Sequence, residues 1–164
     1  MNRLIRVIAM AAAALCAAGC TSSGISVDER EISAGFVREV ARNAVRDALT
    51  APKIVLYVEK FRADNGGRIP VLKFAKAINE TRNPELDTSV VYDEFSAALH
   101  KSDKMAITRV EGAADLVMLI KATSAEIRER DRRVTEYAFT VEMVEVRNSI
   151  SLWQYRKIMG FASK

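Results

Sequence analysis

From Ala34 to Leu49, apolar residues recur on one helical face. Phe36, Val37, Val40, Ala41, Ala44, Val45, Ala48 and Leu49 fall together, with Arg38, Glu39, Arg42, Arg46 and Asp47 opposite. This i, i+3, i+4, i+7 spacing predicts an amphipathic helix. Thr50-Ala51-Pro52 starts a second helix, since proline is tolerated in a first turn. Ile54, Val58 and Phe61 line it, with Tyr57 beside them, and Asp64-Asn65-Gly66-Gly67 ends it with residues that accept left-handed backbone. The period then shortens. Ile69 to Ile78 alternates through Leu72, Phe74 and Ile78, predicting a strand. Asn79 to Pro84 predicts a loop in which Asn79 and Thr81 bond nearby backbone.

A third helix is predicted to about Lys101, with Asp87 as its N-cap, Leu86 and Val91 as a hydrophobic staple, and Val91, Phe95, Ala98 and Leu99 buried. Met105 to Val110 predicts a short strand. Leu116 to Ile120 is a continuous apolar run, the pattern of a strand buried on both faces, continuing with more polar residues toward Ile127. Val134 to Val146 alternates with Tyr137, Phe139 and Val141 on one face. Its period slips near Met143, which predicts a bulge. Asn148-Ser149 turns the chain into a last strand, Ile150 to Met159. There Ile150, Leu152 and Ile158 share one side, and Trp153 and Tyr155 the other. The fold class is α/β (α+β): two N-terminal helices, then a mixed four- to five-stranded sheet with helices packed on it, ending in a β-hairpin.

The first 19 residues follow a different pattern. Arg3 and Arg6 precede about a dozen uncharged apolar residues ending in small ones, the form of a secretory signal. The run is shorter than the roughly 20 residues of a membrane span. Both cysteines of the chain, Cys16 and Cys20, lie here. Ala17-Ala18-Gly19-Cys20 resembles the lipobox of bacterial lipoproteins, although that family favours Leu where Ala17 stands. The resemblance implies cleavage between Gly19 and Cys20 and lipidation of Cys20, so that Cys16 is discarded and no disulfide or thiolate metal ligand remains. The alternative is an ordinary signal peptide with Cys20 a bystander. The expected organisation is a signal peptide over 1–19, a lipidated cysteine and short tether over 20–33, and one globular domain over 34–164. Thr21 after the cysteine resembles the sorting signal for the outer membrane.

Composition narrows the function. An apolar share of 49% and a charged share of 28% are those of a globular domain. Net charge is +4, and Arg3 and Arg6 belong to the signal. So small an excess, with no basic face interleaved with aromatics, argues against nucleic acid as a partner. The single histidine, His100, lies near the end of the third helix, where positive charge is favourable. No second His, Cys or carboxylate accompanies it at a fixed spacing, so neither a catalytic triad nor a metal site is expected. No cofactor is expected.

Longer stretches carry a further resemblance. "RIPVLKFAKAINETRNPELDTSVVYDEFSAALHKSDKMAITRV" is similar to the core of the penicillin-binding protein activator LpoB family. It has a strand, an Asn-x-Thr turn (Asn79, Thr81), a helix start at Asp87-Thr88, a helix end at Ala98-Leu99 and a turn at Ser102-Asp103-Lys104, where Asp103 replaces the usual Gly. Ala114 to Met118 resembles that family's next strand. "FTVEMVEVRNSISLWQYRK" resembles its closing hairpin, with Trp153 as the tryptophan after the turn. The resemblance spans about residues 36 to 157. It implies a non-catalytic outer-membrane lipoprotein with a domain similar to the N-terminal domain of TolB, which binds a bifunctional penicillin-binding protein and stimulates peptidoglycan synthesis. The tether is shorter than that family's long Pro-rich linker, and a lipid-anchored binding module of another envelope complex is the alternative.

Two groups are candidates for the partner surface. Trp153 and Tyr155 share a strand face and form either an exposed aromatic patch or part of the packing under the N-terminal helices. Arg128, Arg130, Arg132 and Arg133 lie in a charged segment taken to be a loop beside them, either binding a partner or simply solvated.

Overall fold

The structure is a computed structural model that describes residues 34–110, 112–129 and 132–162. The expected signal peptide, Gly19, Cys20, the tether and Arg130 lie outside the described residues.

Helix α1 (Ala34–Thr50) buries Val37, Val40, Ala41, Ala44 and Ala48, as its spacing predicts. Three of these five are alanines, and the short side chains on this face allow close approach to α3 (Ser89–Ser102), on which α1 packs. Arg38 and Arg42 both reach Glu94 of α3, at 3.6 and 3.4 Å. Between them in sequence, α2 (Pro52–Asp64) carries proline in its first turn and buries Ile54 and Val58. Gly66 and Gly67 end it with φ of 62° and 87°, and the Gly67 N–H donates to the Arg62 carbonyl. That bond is the reversal a helix C-terminus makes when a left-handed residue is available.

The predicted strand from Ile69 to Ile78 is broken in two. β1 (Val71–Phe74) pairs parallel to β4 (Leu116–Glu129) at residues 116–118, and β2 (Ile78–Glu80) pairs with it at 121–123. Between the two, Ala75 still donates to the Met118 carbonyl, while its own carbonyl accepts the Tyr92 hydroxyl. β3 (Ala106–Thr108) flanks β1 in parallel. β4, β5 (Arg132–Glu145) and β6 (Ile150–Ala162) form a long antiparallel meander. Among the described residues the sheet has six strands, in the order β3-β1-β4-β5-β6 with β2 beside β4.

Other local expectations resolve similarly. The register shifts beside Met143, but the extra residue is in β6 and not in β5: Met143 faces Trp153 and Val144 faces Ser151, leaving Leu152 over, while Tyr137, Phe139, Val141 and Met143 keep an unbroken buried alternation. Ser149 turns with φ 56°, and the Asn148 side chain accepts the Ile150 N–H. Asn79 and Thr81 bond each other and the Asn83 carbonyl, closing the turn locally. Asp87 is not the N-cap of α3. Thr88 occupies that position without a side-chain bond, and Asp87 instead accepts the Ser89 N–H and hydroxyl, which holds its carboxyl below the usual carboxylate range.

The three helices lie on one face of the sheet. Leu116, Met118, Ile120 and Ala122 of β4 and Tyr137, Phe139, Val141 and Met143 of β5 point toward them and are buried. Leu119, between two of these, is 40% exposed. β4 is therefore not buried on both faces as its apolar run predicts. One face carries the core and the other is open.

Candidate functional site

The expected partner surface does not assemble as one patch. Trp153 is only 7% exposed, and its Nε1–H donates to Asp47 Oδ2 of α1 at 2.7 Å. Phe95 packs 6.2 Å from it, between ring centroids. The indole is thus a fastener between α1 and the sheet, which corrects the exposed-patch reading. The bulge at Leu152 sets this outcome by turning Trp153 to the helix side. Tyr155 stacks on Trp153 and is half-buried, edging a shallow depression with Asn43, Arg46, Asp47 and Thr50. Burial and then the Asp47 charge raise its phenol pKa.

Arg128 lies at the end of β4 and Arg132 and Arg133 at the start of β5, so these three are strand and not loop residues. Arg128 pairs across the strands with Arg133, and Glu129 with Arg132. Arg128 and Arg133 are exposed and directly opposed, a like-charge pairing that costs strand stability. Glu126 nearby is bound by Arg82. Arg133 and Met143, the partner of Trp153, are separated by ten positions of extended chain, roughly 33 Å. The arginines and the aromatics therefore belong to different ends of the ribbon. His100 is exposed in the last turn of α3.

A further feature lies away from the residues expected to form the site. A cleft of about 630 Å³ opens between the C-terminal half of α2, residues 114–115 and the β5–β6 turn. Asp115 organises it. Its carboxylate takes two bonds from Arg68, at 3.1 and 3.2 Å, and a third from the Val71 N–H at 2.9 Å. Its backbone donates to the Val71 carbonyl and accepts from Val146. One residue thereby ties β1, β4 and the end of β5 together. The Arg68 guanidinium lies 4.8 Å from the centre of the Phe61 ring, a stacked cation–π arrangement.

Tyr57 faces this cleft with its pKa pushed up to about 12, first by burial and then by Glu145 and Asp115, against a lowering from Arg68. At neutral pH its hydroxyl is protonated. Lys60, Arg68 and Arg147 balance Asp64, Asp115 and Glu145 around the lining. A cleft built this way can hydrogen-bond a polar group of either charge. The sequence signals that could have found it are the two turns, Gly66-Gly67 and Asn148-Ser149, and the charged Asp115 immediately before a buried strand. Nothing local in the sequence shows that the two turns meet.

Among the described residues there is no group of three His, Cys, Asp or Glu side chains that could hold a metal. No described helix is long and apolar enough to cross a membrane.

Helices on one face of a mixed sheet, with an antiparallel meander at one side, define an α+β domain. No protein-family model matches the chain, and no curated protein matches it. Solved structures similar to it include the LpoB C-terminal domain from Escherichia coli, at TM-score 0.47 and 11% identity, over 75% of this chain and 97% of that one. Lipoprotein GNA1162 from Neisseria meningitidis is similar at TM-score 0.40 and 14% identity, over 57% and 84% of the two chains. A PelC dodecamer from Paraburkholderia phytofirmans is similar at TM-score 0.35 and 18% identity, over 57% and 72%. Overlaps this loose do not carry a function from one chain to another.

Proposed function

We propose that this chain is a lipid-anchored protein of the bacterial envelope, held at the periplasmic face of the outer membrane through Cys20. On this reading its domain binds a bifunctional penicillin-binding protein and stimulates peptidoglycan synthesis, without a catalytic step of its own. The supporting observation is local. Several of the residues that resemble the LpoB family stand at turns and at a helix start, although α3 runs to Ser102, past the Ala98-Leu99 helix end that the resemblance implies. Asn79 and Thr81 close a turn, Asp87 organises the entry to α3, and Trp153 follows the hairpin turn. Asp103, in place of the usual Gly, caps α3 in the left-handed conformation at φ 48°. Its carbonyl accepts from Arg62, a contact that helps hold a conformation costly for a non-glycine residue.

The tether favours a second reading, a lipid-anchored module of another envelope complex. Thirteen residues, Thr21 to Ser33, reach at most roughly 45 Å. Capture from envelope extracts with the purified mature protein separates the two. A penicillin-binding protein in the bound fraction supports the first reading, and enrichment of another complex without one supports the second. The anchor is tested separately by intact mass of membrane-extracted protein. A chain starting at residue 20 without added acyl mass would remove the lipid claim.

A further inference from the structure

β6 is the last strand of the sheet, paired with β5 and, among the described residues, with no strand on its other side. Its 13 residues are about twice the usual strand length. In an antiparallel pair every second residue turns its N–H and C=O away from the partner, so about six residues of β6 direct both groups outward. The opposite edge is far shorter, since β3 has three residues; helices pack near both edge strands, α3 against β3 and α1 and α2 against β6. β6 contains no proline to interrupt its donors.

The charges on this edge have one sign. Arg156 and Lys157 stand at the middle of the strand, and β6 contains no acidic residue. Arg156 lies opposite Thr140 on the open face, and Lys157 opposite Phe139 on the helix side, so both faces of the edge are cationic. Both side chains are exposed. Neither makes a hydrogen bond or ion pair among the described residues. Cations on an edge oppose self-pairing. Two copies meeting antiparallel about the strand centre would place Arg156 against its own image. The charge that disfavours a second copy suits an acidic strand.

We propose that β6 is a docking edge for an extended segment of a partner protein carrying alternate Asp or Glu residues, which adds to the sheet as a seventh strand. Outward backbone groups supply the hydrogen bonds, and the carboxylates, which alternation puts on one face of the added strand, meet Arg156 or Lys157 according to its register. The proposal rests on the geometry of this edge and not on which envelope partner the domain regulates.

The test uses the mature protein and three ten-residue peptides: alternating Thr and Glu, alternating Thr and Lys, and the glutamate peptide with the amides along one edge N-methylated. Fluorescence anisotropy gives affinity, and residue-resolved amide exchange locates the site. The glutamate peptide is expected to bind at least tenfold more tightly than the other two and to slow exchange of outward β6 amides at least tenfold. The double variant Arg156→Glu/Lys157→Glu is expected to reverse the preference toward the lysine peptide, a gain that unfolding cannot produce. Equal binding of both charged peptides, unchanged preference in the double variant, or protection only outside β6 overturns the proposal. Protection of β6 in the absence of peptide, accompanied by a dimer, overturns it in favour of a second copy.

Discussion

The two faces of β4 and β5 are made by the same residues in alternation, yet they do different work. On the helix side, Phe139 is fully buried, with Phe36 packed edge-on at 5.8 Å. On the other side, Leu119 of β4 is 40% exposed, and Ile158 of the neighbouring β6 is about half exposed. An apolar run therefore does not require burial on both sides. What decides the matter is whether enough helix exists to cover a second face, and among the described residues the three helices all lie on one.

Substitutions on the covered side break this contrast most severely. Phe139→Ala is expected to lower unfolding free energy by about 3–5 kcal/mol through a cavity that close-packed neighbours cannot fill, read as a fall in urea midpoint at unchanged slope. Trp153→Phe keeps most of the ring but loses the bond to Asp47. Because Asp47 is exposed, a cost of about 1–2 kcal/mol is expected. If the indole were part of an exposed patch, that change would be near zero.

The cleft gives a smaller, pH-dependent effect. A phenol whose folded pKa exceeds its unfolded value of 10.0 stabilises the fold fully below pH 10. That contribution is lost as pH rises toward about 12. Tyr57→Phe is expected to flatten stability between pH 10 and 12 and to remove the latest phase of the tyrosinate absorbance titration. An unchanged titration would contradict the environment described for Tyr57. The smallest effect is on the open face, where Leu119→Ser is expected to shift stability by no more than about 0.5 kcal/mol. A loss of several kcal/mol there would mean that the face is covered in solution.

Much of the architecture was legible because it is written in local period. The apolar face of α1, the proline start of α2 and the glycine stop after it each rest on neighbouring residues. What failed depended on distant ones. The run Leu116 to Ile120 contains an alternation that becomes visible only once the helices are placed. Arg128, Arg132 and Arg133 look like loop residues, yet register between β4 and β5 makes them strand. Trp153 is a buried fastener because Asp47, more than a hundred residues earlier, accepts its N–H. The cleft was illegible for the same reason, since Arg68 and Asp115 are joined only by tertiary structure.

The proposed activity is tested most directly by the rate of glycan polymerisation. The mature lipid-anchored protein would be titrated into a bifunctional penicillin-binding protein in mixed micelles with lipid-linked precursor. A saturable rise in rate is expected, lost when the protein is heat-denatured beforehand. A flat rate with folded protein at concentrations where the two co-sediment would contradict the proposed activation and leave binding alone as the function.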